Sequence, residues 1–161
     1  MKQLFWLALV GMLWFLAGCK HQQTTDGAGE IKFTVIDQGQ YSGMEEPEDR
    51  FISDGASWEA VWSVLQKGVM PRPTLPEVNF ETHTLIACGM GTKTSGGYNI
   101  QVDKVEKKEA VITVSVVNSE PGENCLRTSA LTQPYVVIKL KKQPATASFS
   151  FSHTTATTDC R

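Results

Sequence analysis

The sequence predicts an α+β domain, built mainly from antiparallel β-strands in a sandwich-like arrangement with one packed amphipathic helix. Three observations favour this class. Apolar and polar residues alternate in several short segments, which is the pattern of half-buried strands. One segment repeats its apolar residues at helical spacing. The links between strand segments are short, as in antiparallel neighbours.

The predicted strands lie on both sides of the helix. Ile31, Phe33 and Val35 alternate with polar residues and precede a predicted turn at 37–39. A further short strand is expected from Arg50 to Ser53. After the helix, strands are predicted at 98–102, 112–116, 136–140 and 147–151, and at Leu85–Met90, which is apolar on both faces and therefore central.

The helix is predicted from an apolar stripe with i, i+3, i+4 and i+7 spacing. Ser57 is the predicted N-cap, and Gly68 is predicted at the C′ position. The prolines that follow, at 71, 73 and 76, predict an irregular connection. The stripe consists of Trp58, Val61, Trp62 and Leu65.

The N-terminal segment predicts export and lipid attachment. Lys2 precedes an apolar run from Leu4 to Ala17, which has the length of a secretory signal and is short for a spanning helix. The end of this run, Leu16-Ala17-Gly18-Cys19, resembles the lipobox of bacterial lipoprotein signal peptides. That resemblance implies a signal peptide over residues 1–18, acylation of the Cys19 thiol and a mature chain that begins at Cys19. The alternative is a membrane anchor helix with an incidental cysteine.

The segment after Cys19 is predicted to be a flexible tether, residues 19–29. It contains no large apolar side chain, so it cannot offset the entropy of ordering. Lys20 stands where an inner-membrane retention signal usually has Asp, which predicts the outer membrane if the cell is Gram-negative. Residues 30–161 are enough for one β-rich domain.

Charge argues against nucleic acid as a partner. The formal net charge is −2 and no basic block is present, whereas phosphate binding needs clustered Lys and Arg. The expected contacts are the membrane, through the N-terminal lipid, and other proteins.

Three cysteines remain once Cys19 is lipidated, and export permits a disulfide. Cys88 lies in an apolar run and is expected to be buried. A Cys125–Cys160 bridge would hold down the C-terminal tail. Free thiols at both positions remain the alternative, because spacing does not fix connectivity.

The sequence predicts no catalytic site, metal site or cofactor. The glycine-dense stretch from Gly89 to Gly97 lacks phosphate-loop spacing and precedes a strand. No histidine pair has metal-ligand spacing. His83 and Cys88 would point to opposite faces of a continuous strand, which disfavours a thiol–imidazole pair.

The second half of the chain resembles the C-terminal domain of the PrcB family of protease complex subunits. The resemblance is carried by Gly91-Thr-Lys-Thr-Ser-Gly-Gly-Tyr98 and by Leu131-Thr-Gln-Pro-Tyr135. With the flanking strands and the tryptophan-bearing helix it covers about residues 50–140. It implies a lipoprotein accessory subunit that associates with a surface subtilisin-like protease complex.

The leading hypothesis is therefore a lipid-anchored, non-enzymatic binding module of the cell envelope, associated with an exported protease or another envelope protein. Its candidate contact residues form one loop. Two alternatives stay open: a structural envelope lipoprotein without a dedicated partner, and a thiol-dependent enzyme that uses Cys88. The loop residues are Thr92, Lys93, Thr94, Ser95, Gly96, Gly97 and Tyr98. Tyr98 shares the face of Ile100 and Val102 in the predicted strand, so its ring is expected to anchor the loop while residues 92–95 stay exposed.

Overall fold

The predicted α+β class is confirmed, with the strands divided between two sheets. A computed structural model of the chain describes residues 28–160. Over these residues the chain forms eight strands and one helix. The strands are β1 (Ala28–Glu30), β2 (Phe33–Gly39), β3 (Pro47–Ile52), β4 (His83–Met90), β5 (Asn99–Lys108), β6 (Val111–Pro121), β7 (Tyr135–Lys141) and β8 (Ser148–Thr158), and the helix is α1 (Gly55–Leu65).

The two sheets have four strands each and lie face to face. One has the order β1-β5-β6-β8 and the other has the order β2-β7-β4-β3. Side chains from β4, β5, β6 and β7 meet in one buried cluster between them. All neighbouring strands are antiparallel except β6 and β8, which run parallel from Val111 opposite Ser148 to Pro121 opposite Thr158. The prediction of a mainly antiparallel domain is thus correct, with one parallel pair added.

Strand β4 is covered on both faces, as its apolar sequence predicts. Ile86 and Cys88 belong to the cluster between the sheets. Leu85 and Ala87 belong to a second cluster, which lies between the β2-β7-β4-β3 sheet and the helix. Since β4 is hydrogen-bonded to β3 and β7, it is an internal strand, and the fold has three layers: sheet, sheet and helix.

The helix packs on the outer face of the second sheet through its predicted stripe, all of which is buried. Two indole groups also bind the irregular segment that follows. Trp58 Nε1–H donates to the carbonyl of Pro76 at 3.0 Å, and Trp62 Nε1–H donates to that of Pro73 at 3.2 Å. Buried indole groups usually find such an acceptor. These bonds hold the proline-rich connection against the helix.

Both predicted helix caps are displaced. Asp54 is the N-cap, because its backbone is extended (φ −150°, ψ 162°) and its Oδ1 accepts from the backbone N–H of Ser57 at 2.8 Å. Ser57 therefore lies within the first turn. The C-cap is Gln66, so Gly68, with φ +86°, lies one residue beyond C′.

The turn predicted at 37–39 is wrong. These residues continue β2, with Asp37 opposite Val137 and Gly39 opposite Tyr135. The pairing register shifts between Val35 and Asp37, which is the mark of a β-bulge. An Asp and a Gly at this point favour a turn by composition, but the bulge accommodates them inside the strand.

A polar network connects β2, β7 and the end of the helix. The Tyr135 hydroxyl donates to Asp37 Oδ2 at 2.9 Å. Gln66 Nε2 lies 3.2 Å from the same oxygen and 3.3 Å from the Tyr135 hydroxyl. Burial, followed by the hydrogen bond to Asp37, raises the pKa of Tyr135 to about 12. The hydroxyl is therefore held neutral in the folded protein.

Cys125 and Cys160 form a disulfide, and Cys88 is a buried free thiol. The bridge joins the segment after β6 to the residues after β8. Beside it, the Gly122 N–H donates to the Thr158 carbonyl at 2.9 Å. The C-terminal end of β8 is therefore fixed both covalently and by the sheet.

The predicted signal peptide, residues 1–18, and Cys19 lie outside the described residues, as does most of the predicted tether, 19–29. Ala28 and Gly29, the last tether residues, lie in β1, opposite Lys108 and Lys107 of β5. Among residues 28–160 no helix is long and apolar enough to cross a membrane.

Removal of the disulfide should destabilise the domain. The bridge closes a loop with a sequence separation of 35, for which chain entropy gives about 3 to 4 kcal/mol. We expect the Cys125→Ser/Cys160→Ser double variant to lose free energy of unfolding of this size in denaturant titrations. Cys88→Val is the matched control for loss of a thiol and should change stability much less. Equal stability of the double variant and the wild type would contradict the role of the bridge.

Stability should fall at alkaline pH in a way that depends on Tyr135. Its pKa is raised from 10.0 to about 12 by folding, so the stability linked to the neutral hydroxyl is complete below pH 10 and is lost as pH rises to about 12. The Tyr135→Phe variant should show a flatter decline over this range in denaturant titrations. Identical pH profiles for the two proteins would exclude this linkage.

Candidate functional site

The candidate contact residues lie in the loop that connects β4 in one sheet to β5 in the other. Two glycines shape it. Gly91 has φ +68°, and a Cβ there would lie 2.7 Å from the Pro47 nitrogen. Gly97 has φ +95° and lies against the Pro121 ring. Glycine adopts such conformations without steric cost, so the chain crosses tightly between the sheets.

Backbone hydrogen bonds fix this loop to the segment before β7. Lys93 and Thr132 form an antiparallel bridge, with N–H to carbonyl distances of 2.8 and 3.0 Å. Gly96 N–H donates to the Thr128 carbonyl at 3.1 Å, and the Thr132 hydroxyl donates to the Ser95 carbonyl at 2.9 Å. The loop of residues 91–98 (the Gly-Tyr loop) and residues 131–135 (the Thr-Gln-Pro-Tyr segment) therefore form one hydrogen-bonded structure.

The loop is partly exposed. Thr92, Thr94 and Gly97 are exposed, whereas Lys93 and Ser95 are half-buried because of their contacts with the 128–133 segment. The exposed side chains thus alternate along the loop, as they do along a strand. The expectation that all of residues 92–95 are exposed is wrong for Lys93 and Ser95.

Tyr98 anchors the loop, as its position before Ile100 predicts. Its half-buried ring packs against the cluster between the sheets. The Lys93 ammonium lies 5.5 Å from the centre of this ring, within the range of a cation–π contact. Lys93 and Tyr98 therefore stabilise each other across the loop.

Two exposed apolar residues that the sequence analysis did not select stand beside the loop. Tyr41 is 60% exposed and Leu131 is 61% exposed. Gln133 N–H donates to the Gln40 carbonyl at 2.8 Å, which joins the segment after β2 to the segment that carries Leu131. Leu131 has a sequence signal, since it is an apolar residue in a polar loop before a proline; Tyr41 has none, because only the fold brings it here.

A shallow depression of about 350 Å³ lies at the centre of this region. None of its lining residues is charged; they are Gln40, Tyr41, Gly96, Gly97, Tyr98, Thr128 and Thr132. Aromatic rings, hydroxyl groups and glycine backbone are thus presented together. We call the exposed residues of 92–98 with Tyr41, Thr128 and Leu131 the loop surface. It presents one exposed tyrosine, one exposed leucine and no charged residue, and the cores of protein interfaces are likewise enriched in aromatic residues and depleted of charge.

Cys88 is completely buried between the sheets. Burial, and secondarily the neighbouring Asp49 carboxylate, raises the pKa of the Cys88 thiol far above its usual range. A reactive cysteine needs the opposite, namely exposure and a lowered pKa. His83 is the first residue of β4, and its Nδ1 lies 2.8 Å from the Thr82 hydroxyl.

A second polar cluster lies where the edges of the two sheets meet. His153 Nε2 is 2.8 Å from Asp49 Oδ2, and His153 Nδ1 is 3.3 Å from Asn118 Nδ2. The cluster borders a cavity of about 370 Å³. The carboxylate of Asp49 is the partner of the imidazole, and it also neighbours the Cys88 thiol, whose pKa it helps to raise. Within residues 28–160, no three His, Cys, Asp or Glu side chains are placed to hold a metal ion.

Residues 84–141 match the family model described as PrcB C-terminal. Over these residues the chain is similar to the PrcB C-terminal family. The match begins in β4 and ends in β7, so it includes β5, β6, the Gly-Tyr loop and the Thr-Gln-Pro-Tyr segment. The resemblance inferred from the sequence is confirmed for these residues; the helix α1 lies before the match. No curated protein and no solved structure gives a significant match to the chain.

Proposed function

We propose that this protein is a lipid-anchored, non-enzymatic accessory lipoprotein of the cell envelope, and that its loop surface binds an exported protease or another envelope protein. The observation that carries the proposal is that the loop surface has exposed apolar side chains on a backbone that is held rigid. Tyr41 and Leu131 are mostly exposed, and the loop between them is fixed by backbone hydrogen bonds. Such a surface loses little conformational entropy on binding.

The chemistry of the loop surface favours a protein partner with an uncharged, partly apolar patch. The lining of its depression has no acidic or basic residue, so the partner does not need a charged group to match it. Tyrosine contributes a large contact area and a hydroxyl hydrogen bond, and it is frequent among residues that dominate binding energy. Tyr41 and Leu131 would insert into the partner, and the Thr92 and Thr94 hydroxyls would satisfy polar groups around them.

The family match supports a protease as the partner. The loop and the Thr-Gln-Pro-Tyr segment both lie within the matched residues 84–141, and the family is that of a protease complex subunit. All residues of the loop surface except Tyr41 therefore lie within the match. Tyr41 lies before it and would add a further contact.

The state of Cys88 supports the non-enzymatic part of the proposal. The thiol is fully buried and its pKa is raised, so little thiolate is present near neutral pH. Among residues 28–160, the His153 imidazole is bound to Asp49, the carboxylate that neighbours this thiol. Both features disfavour the thiol-dependent enzyme.

Lipid anchoring is proposed on the sequence Leu16-Ala17-Gly18-Cys19. With Lys20 after the acylated cysteine, we infer that the lipid lies in the outer membrane if the cell is Gram-negative. The predicted tether would separate the folded domain from the lipid.

Crosslinking in intact cells tests the partner-binding function. A photo-crosslinking amino acid at the exposed position Thr94 should give one protein adduct of defined mass. The same probe at Val111, which is 43% exposed at the opposite end of β6, should not. Adding Tyr41→Ser and Leu131→Ser should reduce the Thr94 adduct at least tenfold, since loss of two interface side chains of this kind costs more than about 1.4 kcal/mol.

The absence of any adduct from Thr94, or an adduct that persists in the Tyr41→Ser/Leu131→Ser variant, would contradict binding through the loop surface. The first result would favour a structural lipoprotein without a dedicated partner. Circular dichroism of the variant should match that of the wild type, because both substituted side chains are mostly exposed.

Replacement of Cys19 tests the anchor. Cys19→Ser should abolish incorporation of labelled palmitate and leave the signal peptide uncleaved at this site, because a hydroxyl does not replace the thiol in this modification. Lys20→Ala is the matched control and should retain the label. Label in the Cys19→Ser protein would exclude lipidation at this residue.

A further inference from the structure

Strand β8 differs from the other three strands at the sheet edges. Edge strands normally carry features that prevent pairing with another chain, such as shortness, bulges, prolines or charges. β1 has three residues, β2 contains a bulge beside Asp37, and β3 contains Pro47, Glu48, Asp49 and Arg50. β8 has eleven residues, no proline, no glycine and no acidic or basic residue except His153, and its register with β6 is uninterrupted.

The backbone N–H and carbonyl groups of β8 point alternately toward β6 and toward the free edge of the sheet. Ser148 N–H donates to the Ala110 carbonyl, and the Thr158 carbonyl accepts from Gly122 N–H. Even-numbered residues therefore bind toward β6. In a strand the next residues point the other way, so the N–H and carbonyl groups of residues 149, 151, 153, 155 and 157 point off the edge. Among residues 28–160 only β6 pairs with β8.

We propose that this edge binds the β8 strand of a second copy, in antiparallel orientation, so that one sheet continues through both molecules. Pairing over the full strand places the twofold axis at His153, the middle residue of Ser148–Thr158. Phe151 then faces Thr155 of the other copy, and Phe149 faces Thr157. Aromatic and β-branched residues are favourable cross-strand pairs, so the strand complements its own sequence.

Charge and exposure are consistent with this occupant. The axis places the two His153 residues opposite each other, but each imidazole is already bound to Asp49 of its own chain at 2.8 Å, and β8 contains no other acidic or basic residue. Residues His153 to Thr158 are exposed, and the disulfide after Thr158 fixes the strand before association. An extended strand that is already ordered loses little further entropy on pairing. This inference does not depend on the proposed partner of the loop surface.

Sedimentation velocity of the full-length chain in a non-denaturing detergent tests the proposal. The wild type should sediment as a concentration-dependent dimer. Thr155→Pro removes one N–H that points off the edge and no bond to β6, so it should shift the protein to monomer. Thr155→Ala keeps that N–H and is the matched control, which should still dimerise. A wild type that remains monomeric at all concentrations would overturn the proposal, as would a Thr155→Pro variant that dimerises as well as the control.

Amide hydrogen exchange of the wild type gives a measurement that does not depend on a variant folding correctly. In a monomer, only the even-numbered amides of β8 should be protected. In the dimer the odd-numbered amides, 151, 153 and 155 above all, should also be protected, with protection rising as protein concentration rises. Alternating protection at high concentration would overturn self-pairing. Odd-numbered protection that is independent of concentration and requires another protein would also overturn it, and would assign the edge to a foreign strand.

Discussion

The fold depends on the burial of two central strands, β4 and β7, on both of their faces. Ile86, Cys88, Val136 and Ile138 point into the cluster between the sheets. Leu85, Ala87 and Val137 point into the cluster under the helix. A strand covered on both sides has no face for solvent, so β5 and β6 must cover one face and the helix the other.

The site follows from the same pair of strands. β4 and β7 are antiparallel neighbours, with Gly89 opposite Tyr135, so the segment that leaves β4 and the segment that enters β7 meet at one end of the sheet. Their backbones then bond to each other through Lys93 and Thr132. The backbone of the loop surface therefore continues directly from the two most buried strands, β4 and β7, and this explains its rigidity.

Alternation and apolar runs predict the strands, because a half-buried strand must alternate and a fully buried one must be apolar. The sequence also predicts β4 as central, the helix stripe and the anchoring position of Tyr98. Long-range pairing accounts for the errors. Asp37 and Gly39 have turn composition, but the bulge and the bond between Asp37 and Tyr135 keep them in β2. Asp54 replaces Ser57 as N-cap because both residue types cap well and backbone conformation decides between them.

Two features had no signal in the sequence. Tyr41 joins the site only because the segment after β2 bonds to the segment before β7. The parallel pairing of β8 with β6 requires the chain to change sheets after β7, and neither alternation nor linker length reports which sheet a strand joins. Proximity in sequence favours an antiparallel neighbour, and here the two strands are separated by β7 in the other sheet.

The place where the chain enters the domain has a consequence for orientation. β1 pairs with the end of β5 near Lys108, whereas the loop between β4 and β5 meets β5 at Asn99. A strand of this length spans about 33 Å, so the N-terminal entry and the loop surface lie at opposite poles of the sandwich. If the domain is held to a membrane by its N-terminus, the end that carries β1 and the β5–β6 turn would face the lipid. The end that carries Tyr41 and the loop surface would face away from it, where a large neighbouring protein could approach without touching the bilayer.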